Sequence, residues 1–105
     1  MNDIKWTVSA QIDLEEIAEY IARDSNKIAL EKINQIQAEV NGLRRFAKQG
    51  RVIPELEQIG VLTYRELILH PWRIMYRAEK DTVYVIAVID GRRNVEDILL
   101  RRNIR

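Results

Sequence analysis

The sequence contains no cysteine, one histidine, one phenylalanine and two prolines among 105 residues. Without thiols there can be no disulfide and no thiolate metal site, which fits a reducing compartment. One histidine, His70, leaves no His/Cys set with zinc spacing. The four glycines form no phosphate-cradling loop, and no Ser/His/Asp arrangement is visible. The longest apolar run, residues 83–89, falls far short of the ~20 residues that a membrane-spanning helix needs. The N-terminal residues include Asp3 and Lys5 and lack the apolar region of a signal peptide. These absences remove support for most enzyme classes. No cofactor, metal or membrane partner is expected, and the chain is expected to be soluble and cytoplasmic.

The hydrophobic share is 47% and the charged share 31%, ordinary values for a folded protein. The length suits one domain with one core, residues 1–105. The net charge of +1 conceals an asymmetry. Residues 1–39 hold four basic and eight acidic groups, −4, and residues 40–105 hold the other thirteen basic and eight acidic, +5. Twelve of the seventeen basic residues are arginine, the side chain suited to planar recognition of carboxylate or phosphate. So small a net charge points to an acidic protein partner, or to nucleic acid only within a larger complex.

Ile4, Trp6 and Val8 alternate with polar residues, the period of a strand with one buried face. Ser9 is the expected N-cap of a helix carrying Ile12, Leu14, Ile17, Tyr20 and Ile21 at helical spacing, with Asp13, Glu15, Glu16 and Glu19 on its polar side and in its early turns. That helix should end near Arg23 and Asp24. Ser25 and Asn26 cap a second helix through Ala29, Ile33, Ile36, Val40 and Leu43, weakened near its end by Gly42. The short connection predicts an antiparallel helical hairpin. Residues 49–60, punctuated by Gly50, Pro54 and Gly60, read as irregular. Strands follow at residues 62–69, 72–78 and 82–90, with turns at His70–Pro71 and Lys80–Asp81. The last strand is apolar on both sides, Val83, Val85, Ala87 and Ile89 on one and Tyr84, Ile86 and Val88 on the other, which predicts a central position. Asn94 caps a short terminal helix with Glu96 and Asp97 in its first turn and Arg101 and Arg102 in its last. The fold class is therefore α+β: a helical hairpin on a small antiparallel sheet, order β-α-α-β-β-β-α, with the first strand at an edge or beside the last.

Several stretches resemble the RelE/ParE toxin superfamily. They are Asp13 to Ile17 with Tyr20 and Ile21; Gly50 to Leu56; Tyr64, Arg65, Glu66 and Leu67; Trp72 to Arg77; and Val88 to Arg93, where the family often has histidine in place of Asp90. Their order and spacing match the topology read above. The resemblance implies the toxin half of a toxin–antitoxin pair. ParE-like members poison DNA gyrase by binding it, and RelE-like members cut mRNA on the ribosome. It also implies a cognate antitoxin with an acidic, partly disordered C-terminal half, and binding of operator DNA only through that antitoxin.

The nuclease pattern asks for a glutamate in the Pro-Glu loop, an arginine on the following sheet and a histidine or tyrosine near the end of the last strand. Glu55 and Arg73 match the first two. The third falls near Gly91 and Arg92, and arginine is no ordinary proton donor at neutral pH. A nuclease would thus rest on Glu55, Arg73 and Arg92. Glu55 has a structural reading as well, pairing with Arg51, Arg65 or Arg73. Arg73 and Arg77 alternate with apolar residues and are expected on an exposed polar sheet face, with Arg65 on the neighbouring strand. Arg92 and Arg93 present two guanidinium groups at one rim, and Arg101, Arg102 and Arg105 give the tail a positive end. Together Arg65, Arg73, Arg77, Arg92, Arg93, Arg101 and Arg102 form the expected surface for target or antitoxin. The sequence reading favours a gyrase poison, leaves the ribosome-dependent endonuclease as its rival, and keeps open a toxin retained only for binding its antitoxin.

Overall fold

A computed structural model describes residues 1–102. The chain runs β1 (Asp3–Trp6), α1 (Val8–Ala22), α2 (Asn26–Asn41), a 3-10 turn (Gly42–Arg44), β2 (Arg51–Val52), α3 (Pro54–Glu57), β3 (Tyr64–Leu69), β4 (Trp72–Glu79), β5 (Thr82–Asp90) and α4 (Val95–Arg101). The α+β class and the element order match the sequence reading. Residues 49–60 are more regular than expected, because Pro54 at the first helical position starts α3 and β2 pairs with β3. Arg105 lies outside the described residues.

The five strands form one sheet in the order β1-β5-β4-β3-β2. Strands β2 to β5 are antiparallel neighbours, the meander that short turns enforce. β1 joins parallel to β5, Ile4 opposite Val83, so the sheet is mixed and β5 is interior. The helix after β1 is capped two residues earlier than expected. Thr7, not Ser9, caps α1, its hydroxyl accepting from the Ala10 N–H at 3.2 Å and donating to the Val85 carbonyl at 3.0 Å. The acids of α1 consequently sit beyond its first turn. Ser25 caps α2 as expected, accepting from the Ile28 N–H.

Both faces of the sheet are covered, each by its own apolar cluster. The hairpin packs Ala10, Ile36, Val40 and Leu43 against Ile74, Tyr76, Val83 and Val85. On the other face α3 and α4 bring Leu56, Val95, Ile98 and Leu99 onto Tyr64, Met75, Ile86 and Ile89. Each valine, leucine, isoleucine or methionine fully buried there stabilises the fold by about 1.5–3 kcal/mol. A β-bulge corrects the expected sidedness of β5: Met75 faces Ala87 while Tyr76 faces Val85, leaving Ile86 without a partner residue. Val83, Val85 and Val88 therefore share the hairpin face, and Ile86, Ala87 and Ile89 the other.

Beyond the end of β1, side chains cap the open edge of β5. The Asp13 carboxylate, buried in α1, accepts from the Val88 N–H at 2.9 Å. Arg102, at the end of α4, grips the same carboxylate through two bonds of 2.7 and 2.6 Å and donates to the Ile86 carbonyl at 2.9 Å. One ion pair thus ties the first helix, the bulge and the last helix together.

Candidate functional site

On the α3/α4 face, strand alternation puts Glu66 of β3 beside Arg73 of β4. Arg73 is not on an exposed polar face as expected: it is 8% exposed and fully engaged. Its Nε donates to Glu66 at 2.6 Å and its terminal nitrogens fork onto Glu55 at 2.7 and 2.8 Å, with one also reaching Glu66 at 3.0 Å. Arg51 adds a 2.8 Å bond to Glu66 from β2. Bidentate charged pairs of this kind are the strong ones. The Arg73 hydrogen bonds hold the Glu55 carboxyl below the ordinary carboxylate range, against burial, which raises it. The same pairing, with Glu55 first, drives the Arg73 pKa upward.

This network floors a cleft of about 540 Å³ whose wall includes His70, Trp72, Asp90, Gly91 and Arg92. His70 enters it from the β3–β4 turn, where the bond to Pro71 is cis. Arg92 is nine-tenths exposed but folds back on Asp90 with bonds of 3.0 and 2.9 Å, and this pairing holds the Asp90 carboxyl at about 2. The three arginines of the cleft, Arg51, Arg73 and Arg92, are each matched to a carboxylate.

The remaining expected arginines do not form one patch. Arg65 sits on the hairpin face, opposite Tyr76 in the ladder, and donates to the Gly50 carbonyl at 2.8 Å. Arg77 is half-buried, its guanidinium 4.9 Å from the centre of the Tyr84 ring and near Glu79. Arg101 pairs with Asp97 one turn back on α4, and Arg102 is committed to Asp13. Arg93 is exposed, lines a groove of about 470 Å³ with Glu16, Tyr20 and Trp72, and forms no ion pair among the described residues. The expectation of clustered free guanidinium groups is thus corrected. Alternation along a strand fixes the side to which a residue points, but not whether another element covers that side.

The sequence reading assigns Glu66 no role, expects Asp13 on the polar side of α1, and expects Arg51 only as a partner for Glu55, whereas Arg51 pairs with Glu66. Asp13 was legible in principle, since it falls three residues after Ala10 on the inner stripe of α1. Glu66 shares the parity of Tyr64 and Ile68, and only the unforeseen cover by α3 buries it. A further groove of about 380 Å³ lies between the hairpin helices at Trp6, Leu14, Ala18 and Ile33, and Val8, Ile12 and Leu30 of the same helices are exposed. Among the described residues no group of His, Cys, Asp and Glu could hold a metal ion, and no helix is long and apolar enough to cross a membrane.

Comparison with known proteins adds to this geometry. The sequence model described as the ParE toxin of the type II toxin–antitoxin system parDE matches residues 4–95. Toxin ParE3 of Caulobacter vibrioides is 26% identical over 84 residues, 79% of this chain and 80% of that protein. A solved chain of the chromosomal ParDE system of P. aeruginosa superposes with a TM-score of 0.71 at 25% identity, covering 86% of this chain and 96% of that one. A YoeB/ParE toxin from Agrobacterium tumefaciens shares the fold at a TM-score of 0.52 and 17% identity, with 84% and 96% covered.

Proposed function

Since the chain belongs to the ParE toxin family of type II toxin–antitoxin systems, we propose that it arrests growth by binding DNA gyrase and blocking its turnover, without cutting nucleic acid. The observation that carries this reading is the closed ion network around Arg73. Cleavage of RNA needs a base poised near working pH and cations free to meet phosphate charge. Glu55 is held ionised and engaged by Arg73, and Arg73 has every nitrogen occupied by Glu55 or Glu66. Arg92 and Arg93, at the rim shared by the cleft and the neighbouring groove, together with Arg77 and Arg101, supply the docking contacts. Arg65, Arg73 and Arg102 hold the frame that presents them.

A cognate antitoxin is the partner that neutralises the toxin. Its acidic, partly disordered C-terminal half folds onto the toxin, setting apolar side chains in the groove between α1 and α2 and its acids against the arginine rim. Operator DNA is bound through the antitoxin.

One observation favours a second reading, a RelE-like ribosome-dependent mRNA endonuclease. His70 lines the same cleft as Arg73 and Arg92 and could supply the proton transfer that the end of β5 lacks. Two assays on the purified toxin separate the readings: gyrase supercoiling, and cleavage of mRNA on programmed ribosomes. Inhibited supercoiling with intact mRNA is expected. Cleavage in the ribosomal A site, abolished by Arg73→Ala or His70→Ala, would replace the gyrase reading with the second.

A further inference from the structure

Residues 40–54 contain no acid, yet they hold Arg44, Arg45, Lys48 and Arg51. A local surplus of four positive charges in fifteen residues is invisible in the net charge of the chain. Phe46, the only phenylalanine, stands in the middle of this stretch and belongs to neither apolar cluster: it is 66% exposed, between exposed Arg45 and Lys48. Isolated exposed apolar residues are common. This one differs in its company and its setting.

The loop is held in place from several sides. The Arg45 and Phe46 N–H groups both donate to the Gly42 carbonyl at 3.3 Å, and Gln49 N–H donates to the Phe46 carbonyl at 3.0 Å. Asn2 ties the near end, its N–H to the Arg44 carbonyl at 2.8 Å and its side chain to the Leu43 carbonyl at 3.1 Å. The far end is tied by the Gly50 N–H, which donates to the buried Tyr76 hydroxyl at 2.9 Å, and by Arg65 on the Gly50 carbonyl. Among the described residues Arg44, Arg45 and Lys48 enter no ion pair, although Asp3 and Asp81 lie at the same end of the sheet, where the Asp3 N–H meets the Asp81 carbonyl.

We propose that this loop is a binding site for single-stranded nucleic acid, with an unpaired base stacked on the Phe46 ring and backbone phosphates neutralised by Arg44, Arg45 and Lys48. A flat exposed ring between free cations suits that ligand. Every base offers a π face for stacking, and the cations follow the backbone. A duplex hides its base faces from such a ring. An acidic peptide is the less fitting occupant, because it needs an apolar furrow for its side chains and none of the grooves described above includes residues 44–48. The site is separate from the Arg73 cleft and does not depend on which enzyme the toxin poisons. It also accounts for the balance of charge in the chain: three cations give an affinity useful only when a larger complex supplies the rest.

Fluorescence anisotropy of the full-length toxin with a labelled oligothymidylate of about 20 nucleotides tests this. Three neutralised phosphates predict an affinity that falls about 20-fold between about 50 and about 200 mM salt. Arg45→Glu combined with Lys48→Glu should lower affinity at least about tenfold and flatten that salt dependence. Phe46→Ala should weaken binding about tenfold with the salt dependence kept, and Phe46→Trp should restore it. Lys27→Glu, on the outer side of α2, should change nothing. Far-UV circular dichroism should be the same for all variants, since the altered side chains are exposed. Wild-type binding by the double charge reversal, indifference to Phe46→Ala, or preference for a polyglutamate peptide over the oligonucleotide would each overturn the proposal.

Discussion

Two residues illustrate how local packing sets what the rest of the site can be. Gly50 approaches β3 so closely that an added Cβ would lie 2.5 Å from the Glu66 carbonyl oxygen and 2.8 Å from the Tyr76 hydroxyl. Gly50→Ala is therefore expected to cost about 1–3 kcal/mol, through displacement of Tyr76, measurable as a lowered urea midpoint. Glu66 has no exposed side-chain surface and balances both Arg73 and Arg51. Glu66→Ala strips the buried Arg73 of one partner and should cost about 3–5 kcal/mol in the same measurement. Glu55 behaves differently because its side chain is 34% exposed, so solvent screens its pair. Its carboxyl is lowered from an ordinary value of 4.5. A lowered folded-state pKa contributes stability above the unfolded value, and that stability is lost as pH falls through the folded one. The urea midpoint of wild type should thus exceed that of Glu55→Gln at neutral pH, and the gap should narrow below about pH 4.5, the value of the unfolded group. The expectation set Arg65 with Arg73, whereas the register of β3 on β4 puts Glu66 on the Arg73 side and Arg65 on the other. The burial of Glu66 and Arg73 was not legible, because it comes from α3, a helix of four residues whose apolar content, Leu56 alone, makes no periodic signal.

At the scale of elements, periodicity served well where helices and strands were long enough to repeat it. The hairpin and the three-strand meander were readable for that reason. It misled at the start of α1: Val8 continues the alternation of Ile4 and Trp6, yet it is already helical and exposed, because the Thr7 hydroxyl bridges the helix start and the Val85 carbonyl. Thr7→Ala should cost about 1 kcal/mol in thermal or urea unfolding. The parallel docking of β1 had no marker in the sequence. The seam between α1 and α4 makes a sharper prediction. Arg102→Ala leaves the Asp13 carboxylate and the Ile86 carbonyl without their shared donor, so amide hydrogen exchange should accelerate across α4 and at Val88 while the hairpin amides stay protected. Uniform acceleration across the whole chain would show that the seam has no local role.

For the molecule as a whole, opposite charges on different layers matter more than their near-zero sum. The first 39 residues carry −4 and the remainder +5, so a partner with an acidic tail should be steered toward one side only. The association rate of toxin with antitoxin should accordingly fall as salt rises, despite a net charge of +1, as stopped-flow mixing would reveal. The sequence showed this imbalance, but not that the basic portion also builds a second apolar layer. The bulge in β5 makes that layer possible, since it lets Ile86 and Ala87 point the same way. Loss of the single codon for Ile86 would restore strict alternation and leave every residue from Ala87 to Asp90 on the side it already faces. Genes of this lineage should therefore accept a frame-preserving deletion at that codon more readily than one within β4, where alternation is unbroken and a lost residue would turn the rest of the strand over.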